Sequence, residues 1–400
     1  MPTILRPRSH AAKVVPIELF FDLVYVFAIT QLSHLLLGHL GAAGAVQTLL
    51  LTLAVWWAWM YATWTTNYLD PEHPVMRLTL AAMMLAGLAM AAALPQAFGP
   101  RAVWFAVAYV VLQVGRSLVA ALAARHELIG HTFRRILIWQ VISAVLWIAG
   151  ALAGGTGQVT LWVVALLVEY AAPWHGYRLP FLGRATTADW AIDAAHMAER
   201  CQLFVILALG ESILVTGLTL AGNDHLSIAT VAAFAMAFLT SVAMWWVYFD
   251  RSAEDAAERV AAADDTGRIG RSAYTYSHIP IVAGVIIAAV GDELAIAHPL
   301  GPITTGTALT VLGGPALFLA GHAVFQRLVF GRLPAGRVVA IAVLAVTAPV
   351  VLAAPSLVPP LALAVLAALV VGGAALWDSR PAQQDHAKSR AVPITYAQDG

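Results

Sequence analysis

Long, uninterrupted apolar segments are the feature that most constrains how this chain folds. A membrane-spanning helix needs about 20 mostly apolar residues at a rise of 1.5 Å per residue. By this criterion we place spans at 16–38, 45–66, 76–97, 102–124, 133–153, 157–174, 197–220, 227–249, 274–291, 303–325, 336–353 and 357–377. The runs are continuously apolar rather than alternating, which argues against a membrane β-barrel. The sequence therefore predicts an all-α integral membrane protein with about twelve transmembrane helices.

The amino-acid composition is typical of an integral membrane protein. Hydrophobic residues make up 60% of the chain and charged residues 11%, with a mean hydropathy of +0.79; soluble proteins have roughly 45–50% and about 25%. Lys plus Arg equals Asp plus Glu, so no global charge indicates a nucleic-acid partner. The expected partners are the lipid bilayer and an unidentified small molecule or ion, and the oligomeric state is left open. The single cysteine, Cys201, excludes an internal disulfide.

Basic residues indicate the orientation, because cytoplasmic loops carry an excess of Lys and Arg. The loops on one side contain a single basic residue, Arg101, whereas the loops on the other side contain many. Those on the basic-rich side include Arg6, Arg8, Lys13, Arg77, Arg125, Arg134, Arg135, Arg178, Arg184, Arg251, Arg259, Arg268, Arg271, Arg327, Arg332, Arg337, Arg380, Lys388 and Arg390. We therefore expect both termini in the cytoplasm. The basic N-terminal stretch has no small-residue cleavage site, so we expect the first span to be retained.

Two pairs of similar sequence segments indicate an internal duplication. WWAWMY at 56–61 recurs as WWVYFD at 245–250, and ELFFDLVYVFAITQ in the first span matches ERCQLFVILALGES in the seventh. An even number of spans in each half makes the halves parallel, so we interpret them as two parallel six-helix repeats; chance similarity between Trp-rich segments is the alternative. The predicted organisation is a cytoplasmic N-terminal segment (1–14), a first half (15–174), a cytoplasmic linker (175–196), a second half (197–377) and a disordered cytoplasmic tail (378–400).

The first span carries charged residues that hydrocarbon does not tolerate. Glu18 and Asp22 lie four residues apart on one helix face, and His34 lies about 24 Å further along the helix. An ionised side chain at the bilayer centre costs roughly 2.5–3.5 kcal/mol, so such residues face a bundle interior or water. The alternative for Glu18 and His34 is an interfacial position. Asp22 is harder to explain in this way, because it lies one helical turn deeper in the membrane and its side chain is shorter.

The seventh span repeats the pattern. His196, Glu199 and Arg200 lie at its start, and Glu211 lies about 18 Å beyond Glu199. Arg116 is the basic residue well inside the fourth span, and we expect it to pair with Glu211 or Asp22. A structural ion pair that only holds helices together is the alternative.

Aromatic residues form a second pattern. Trp57, Tyr61, Trp64 and Tyr68 follow one another at spacings of four, three and four residues, which places them on one helical stripe, with Asn67 near its cytoplasmic end. The functional interpretation is an aromatic wall for a cation or a flat apolar ligand; interfacial belts and packing are the alternative.

Further candidates lie elsewhere in the chain. Trp246 and Asp250, four residues apart on the eighth span, would form the matching wall of the second half. His278 precedes Pro280, which can kink the ninth span, and Glu169 is expected at the cytoplasmic rim. No helix shows metal-ligand spacing and no nucleotide or nucleophile motif is present, so we predict no metal and no cofactor.

The segments ELFFDLVYVFAITQLSHLL and HMAERCQLFVILALGESI, together with TNYLD and YTYSHIPIVAG, resemble the bacterial low temperature requirement protein A family. The resemblance runs from about residue 15 to the twelfth span and implies a multi-pass protein of the bacterial cytoplasmic (inner) membrane without an established activity. The family's characteristic polar positions correspond here to Glu18, Asp22, His34, Glu199, Arg200 and Glu211. Cys201 and Gln202 depart from the expected pattern, which puts the local packing after Arg200 in doubt.

Three functions are compatible with the sequence. The first is a proton-coupled secondary transporter or permease, in which carboxylates between the two halves titrate or contact the substrate. The second is an intramembrane enzyme that uses an acid and an aromatic wall on a lipid or isoprenoid substrate. The third is a channel or scaffold without coupled chemistry. The sequence leaves open whether the protein is an enzyme.

Overall fold

The chain folds into a bundle of long helices. The computed structural model describes residues 4–6, 13–186, 192–222, 226–249 and 252–379, with side chains from 255 onward in the last range. The helices are α1 (Pro16–Gly38), α2 (Ala42–Tyr68), α3 (Pro74–Ala93), α4 (Ala102–Ala123), α5 (Leu128–Ala153), α6 (Gly155–Ala171), α7 (Ala194–Ala221), α8 (Ile228–Phe249), α9 (Ser252–Ala261), α10 (Thr266–Gly270), α11 (His278–Ala297), α12 (Thr305–Phe330), α13 (Ala335–Ala353) and α14 (Pro360–Asp378). The described residues contain no β-strand and only two isolated β-bridges. The predicted all-α membrane fold is confirmed.

Each of the twelve predicted spans corresponds to a helix. Within the described ranges, eleven segments are long and apolar enough to cross a membrane, and α6, with 17 residues, is shorter. One of the eleven, Thr266–Ala297, joins α10 and α11 through a π-helical turn at Arg271–Tyr276. The irregular turn lies just before Pro280, whose missing N–H cannot close the regular helical hydrogen bond.

The predicted span boundaries differ from the helix ends by up to six residues; the fifth span, for example, starts at Leu128 instead of 133, and the tenth ends at Phe330 instead of 325. The ninth span was predicted to end at 291, but α11 continues to Ala297, because the acidic stretch GDELAIA consists largely of good helix formers. The seventh span was predicted to start at 197, but α7 starts at Ala194. The carboxylate of Asp193 accepts a hydrogen bond from the N–H of His196 at 3.1 Å and so caps the helix three residues earlier.

The two sets of six helices have the same neighbours. In the first set α1 packs against α2 and α3, and α2 also contacts α4 and α6; in the second, α7 packs against α8 and α11, and α8 also contacts α12 and α14. The sequential pairs from α3 to α6 have counterparts in α11 to α14, and the second set has further contacts, such as α12 with α14. The organisation into two repeats stays a prediction. The two sets meet where α1 and α2 contact α7 and α11.

Glycine allows the closest helix contact, between α11 and α12. A Cβ at Gly284 would lie 2.5 Å from the backbone nitrogen of Phe318, and a Cβ at Gly291 would lie 2.7 Å from that of Val311. Membrane helices approach this closely where small residues replace bulky ones. α11 and α12 are therefore closely packed, and α11 also contacts α7.

Candidate functional site

A buried polar cluster joins the start of α1 to the start of α7. The carboxylate of Glu18 accepts a hydrogen bond from the backbone N–H of Val15 at 3.1 Å and lies 3.0 Å from Nε2 of His196. The Arg6 guanidinium lies 3.9 Å from the same carboxylate and donates to the carbonyl of Thr66 at 2.9 Å. Glu18 and His196 are fully buried. The sequence predicted both residues as candidates, and the structure brings them together across the two halves.

His196 lies between an amide, a carboxylate and a guanidinium. The side-chain oxygen of Asn67 accepts from the N–H of Asp193 at 3.0 Å, so the Asn67 amide nitrogen faces Nδ1 of His196 at 3.1 Å. Nε2 of His196 lies 3.0 Å from the Glu18 carboxylate and 2.8 Å from Nη1 of Arg6. A proton on Nε2 satisfies Asn67 and Glu18 but sets two donors against each other at the Arg6 contact. His196 therefore connects the Glu18 carboxylate with α2 and the N-terminal segment.

One turn further in, Asp22 and Arg200 form an ion pair. One carboxylate oxygen, Oδ1 of Asp22, accepts from Nη2 of Arg200 at 2.8 Å and from the indole N–H of Trp59 at 2.7 Å. The Arg200 guanidinium also lies 5.6 Å from the centre of the Trp59 ring. Both charged side chains are buried, as is the neighbouring Cys201. Asp22 therefore faces protein, as the sequence predicted.

This pair uses only part of its hydrogen-bonding capacity. Among the described residues, the second oxygen of Asp22 (Oδ2) and the Nε and Nη1 atoms of Arg200 are buried without a partner. The hydroxyl of Tyr25, one turn beyond Asp22 on α1, is also buried without a partner. Buried polar groups are paired in the great majority of cases, and an unpaired one costs about 1–3 kcal/mol. A cluster of four such atoms marks a place that another state of the protein or a ligand can satisfy.

The remaining acidic candidates of the two helices lie apart from this pair. Glu211 is nearly buried, and its carboxylate accepts from the hydroxyl of Thr30 at 2.5 Å. The Glu199 carboxylate accepts from the backbone N–H of Val14 at 3.0 Å and holds the segment before α1. His34 is exposed near the opposite end of α1, within electrostatic range of Glu293.

The expected pairing of Arg116 with Glu211 or Asp22 is wrong, because α4 packs against α2, α3 and α5 rather than against α7. The Arg116 guanidinium is buried and donates to Oε1 of Gln113 at 2.8 Å and to Oγ of Ser117 at 3.1 Å. It lies 4.6 Å from the centre of the Tyr61 ring. With the Gln140 amide turned to match its neighbours, the Gln140 oxygen accepts from Arg116 at 2.5 Å. The direct partners of this charge are neutral dipoles, and Gln113 links it through the Tyr109 hydroxyl to the Glu169 carboxylate.

The aromatic stripe of α2 lines a cavity of about 140 Å³. Trp57, Tyr61, Trp64 and Tyr68 all contribute to its wall, and the polar α2 candidate Asn67 belongs instead to the Glu18 cluster. The other walls come from α4, α5, the linker after α6 and the π-helical turn. The stripe predicted from the sequence therefore faces one partly open space, which we call the aromatic cavity.

The aromatic cavity has two guanidinium groups and no acidic side chain among its described lining residues. Arg116 lies over Tyr61, and Arg271 lies 4.5 Å from the Trp174 ring and donates to the carbonyl of Pro173 at 2.6 Å. The expectation that the wall binds a cation is therefore disfavoured, because the protein's own cations already occupy two of the ring faces. The indole N–H of Trp57 is buried and has no partner among the described residues.

The linker closes the cavity through Tyr177. Its hydroxyl lies 2.6 Å from that of Tyr61. Burial raises the pKa of the Tyr177 phenol well above its ordinary value, so the group is neutral and serves as a hydrogen-bonding partner rather than as a charge.

The candidates of the second half do not form a matching wall. Trp246 is half exposed on the outer face of α8, and Asp250 lies outside the described residues. His278 is buried, where it hydrogen-bonds to the Tyr248 hydroxyl at 2.8 Å and the Ala273 carbonyl at 3.0 Å. These contacts stabilise the start of α11.

Sequence reasoning misplaced Glu169, which was expected at the cytoplasmic rim. Its carboxylate is buried and accepts from the hydroxyls of Tyr109 (2.6 Å) and Ser143 (2.5 Å) and from the indole of Trp147 (2.9 Å). A signal was present: Ser143 and Trp147 lie four residues apart on one face of α5. Asp292 was missed because the ninth span was ended too early, and it is buried in α11. Within the described residues, no group of three or more His, Cys, Asp or Glu side chains is placed to hold a metal ion.

The long apolar helices and the charges buried between them define a polytopic α-helical membrane protein. Residues 13–372 match the family described as bacterial low temperature requirement A protein (LtrA), and the chain belongs to this family. The chain is also similar to the uncharacterized protein RA0937 of Rhizobium meliloti (strain 1021), with 43% identity over 316 residues, which is 78% of this chain and 76% of that protein. Neither description names an activity.

Proposed function

We propose that this protein is a proton-coupled secondary transporter of the bacterial cytoplasmic membrane, with both termini in the cytoplasm. Asp22 is the proton-binding group, and Arg200 is the cation that competes with the proton for it. Glu18 and His196 connect this pair to the cytoplasmic end, and Glu211 is the acidic group toward the opposite end.

The observation that carries the proposal is the under-satisfied Asp22–Arg200 pair at the boundary between the two halves. A buried ion pair is stable only when further hydrogen bonds satisfy its remaining atoms. Here one oxygen and two nitrogens lack partners among the described residues, so a small movement of α1 against α7 costs few hydrogen bonds. When the pair separates and water enters, a proton can replace Arg200 on the carboxylate.

Polar groups follow the contact of α1 with α7 but do not form a continuous path. At a rise of 1.5 Å per residue, Glu18 and Asp22 are about 6 Å apart along α1, whereas Arg200 and Glu211 are about 16 Å apart along α7. Between them α7 presents buried Phe204 and Ala208 to the bundle. A closed apolar barrier between two polar groups suits alternating access better than an open channel.

The enzyme hypothesis predicted an acid and an aromatic wall in the same pocket. The aromatic cavity has the wall, but its described lining contains arginines in place of an acid. The geometry therefore favours transport over acid catalysis on a lipid.

The test is proton movement in proteoliposomes that contain a pH-sensitive dye, with candidate solutes added outside. We expect a solute-dependent pH change with the unaltered protein and its loss in Asp22→Asn and in Glu211→Gln. The exposed Glu72, which pairs with Arg77 at 3.3 Å on the surface, provides the matched control Glu72→Gln, which should behave like the unaltered protein. Size-exclusion profiles verify that each variant is folded.

Two results would overturn the proposal. Solute uptake without any pH change would show a uniporter or channel. An unchanged pH response in folded Asp22→Asn would remove this carboxylate from the coupling step.

A further inference from the structure

We propose that the aromatic cavity is a binding site for a small organic anion that combines a carboxylate with a flat apolar body of about one ring. The inference rests on the proposed function only in taking this anion as the transported substrate, because binding itself is independent of coupling. The site involves side chains of α2, α4, the linker and the π-helical turn, and none of the carboxylates assigned to proton coupling.

The charges of the lining determine the sign of the ligand. Arg116 is 1% exposed and donates to neutral oxygens, among them Oε1 of Gln113. Gln113 donates in turn to Tyr109, and Tyr109 to Glu169, so the nearest described carboxylate is two hydrogen bonds away from Gln113 and does not line the cavity. Arg271 donates to one carbonyl. Burying a charge without a direct counter-charge is costly. A carboxylate bound in the cavity would give the two lining guanidiniums that direct counter-charge.

The walls determine the shape of the ligand. Trp57, Tyr61 and Trp64 offer ring faces and edges along one side, and Ile136 and Phe133 of α5 close the other. A cavity of about 150 Å³ lined by apolar side chains holds a benzene molecule, and this cavity measures about 140 Å³. The cavity therefore suits a monocyclic or similarly short apolar acid.

Charge balance links anion binding in this cavity to proton binding at Asp22. An organic monoanion that crosses with one proton carries no net charge, so the membrane potential does not oppose its entry. In the proposed cycle Asp22 would supply that proton.

The test is isothermal titration of the full-length protein in detergent with four probes that differ in one property each. Benzoate carries the charge and the ring, benzamide lacks the charge, benzylamine reverses it and acetate lacks the ring. We expect saturable benzoate binding, with each of the other three weaker by at least about tenfold. This series uses the unaltered protein, so it shows whether the protein binds an aromatic carboxylate even if a variant does not fold.

Variants then locate the site. Arg116→Gln and Arg271→Gln should each weaken benzoate binding by about ten- to a hundredfold, the equivalent of one charge-assisted hydrogen bond. Arg101→Gln is the matched control, because the Arg101 side chain is exposed at the opposite end of the bundle, where its guanidinium donates to the carbonyl of Ala92. It should leave the affinity unchanged.

The proposal fails if benzoate does not bind, if benzamide or benzylamine binds as well as benzoate, or if folded Arg116→Gln and Arg271→Gln both retain full affinity. Benzoate binding without proton movement in liposomes would uphold this site and refute the proposed coupling. Proton-coupled uptake of a solute that benzoate does not inhibit would uphold the coupling and refute this cavity as the substrate site.

Discussion

The energetic coupling between Asp22 and Arg200 can be measured with a double-mutant cycle. Asp22→Leu removes the acceptor of both Arg200 and the Trp59 indole, and leaves a buried guanidinium without a counter-charge. Removing one partner of a buried pair costs about 3–5 kcal/mol, and the orphaned indole adds about 1–3 kcal/mol. Arg200→Met leaves a buried carboxylate with only the indole as donor, at a comparable cost. The double variant removes both charges, so we expect it to lose far less unfolding free energy than the two single variants lose together.

The expected coupling energy is therefore at least about 3 kcal/mol. Hydrogen bonds between membrane helices average only about 0.6 kcal/mol in such cycles, so the ion pair and an ordinary hydrogen bond predict clearly different values. The assay is unfolding by SDS in mixed micelles, followed by tryptophan fluorescence, for which the chain carries 13 tryptophans.

The exposed pair Glu72–Arg77 provides the control cycle, in which the coupling should fall within about 0–1 kcal/mol. A coupling below about 1 kcal/mol for Asp22 and Arg200 would refute the reasoning. It would mean that the buried charges are solvated by water or are not both ionised.

Two further predictions concern the packing around the site. Gly284→Val places branched carbons against the backbone of Phe318, where even a Cβ would lie at 2.5 Å, and should lower the melting temperature and the folded yield on size exclusion; an unchanged melting temperature would show that α11 and α12 can separate freely. Glu169→Gln turns an acceptor of three donors into an amide whose NH₂ faces donors, and should cost about 1–3 kcal/mol in the same SDS titration; a stability gain would show that charge burial dominates there.

The spans were predictable because a membrane helix is defined by local sequence: about 20 apolar residues suffice, whatever their neighbours. The buried position of Asp22 followed from the same local argument, since hydrocarbon excludes charge, whereas Glu18 was left between a buried and an interfacial position. The capping of α7 by Asp193 was predictable in principle from residue type but was missed, because the linker was read as continuing to 196.

The pairing of charges was not predictable, because it depends on which helices become neighbours. Arg116 and Arg200 were both possible partners for Asp22, and only the packing of α7 against α1 decides between them. The aromatic stripe was visible as a spacing, but its interpretation changed because Arg116 lies over Tyr61 of the stripe and Arg271 lies over Trp174 on another wall of the cavity. Such contacts join residues more than 50 positions apart, beyond any local pattern.

The chain carries its own reporter of movement at the boundary between the halves. Cys201 is the single cysteine of the whole sequence, and it is 1% exposed directly after Arg200. A maleimide therefore has a single thiol to react with, and it can react only when the helices packed around this part of α7 separate. The alkylation rate in intact cells and in inverted vesicles would time that opening and show from which side of the membrane water arrives, without any engineered label.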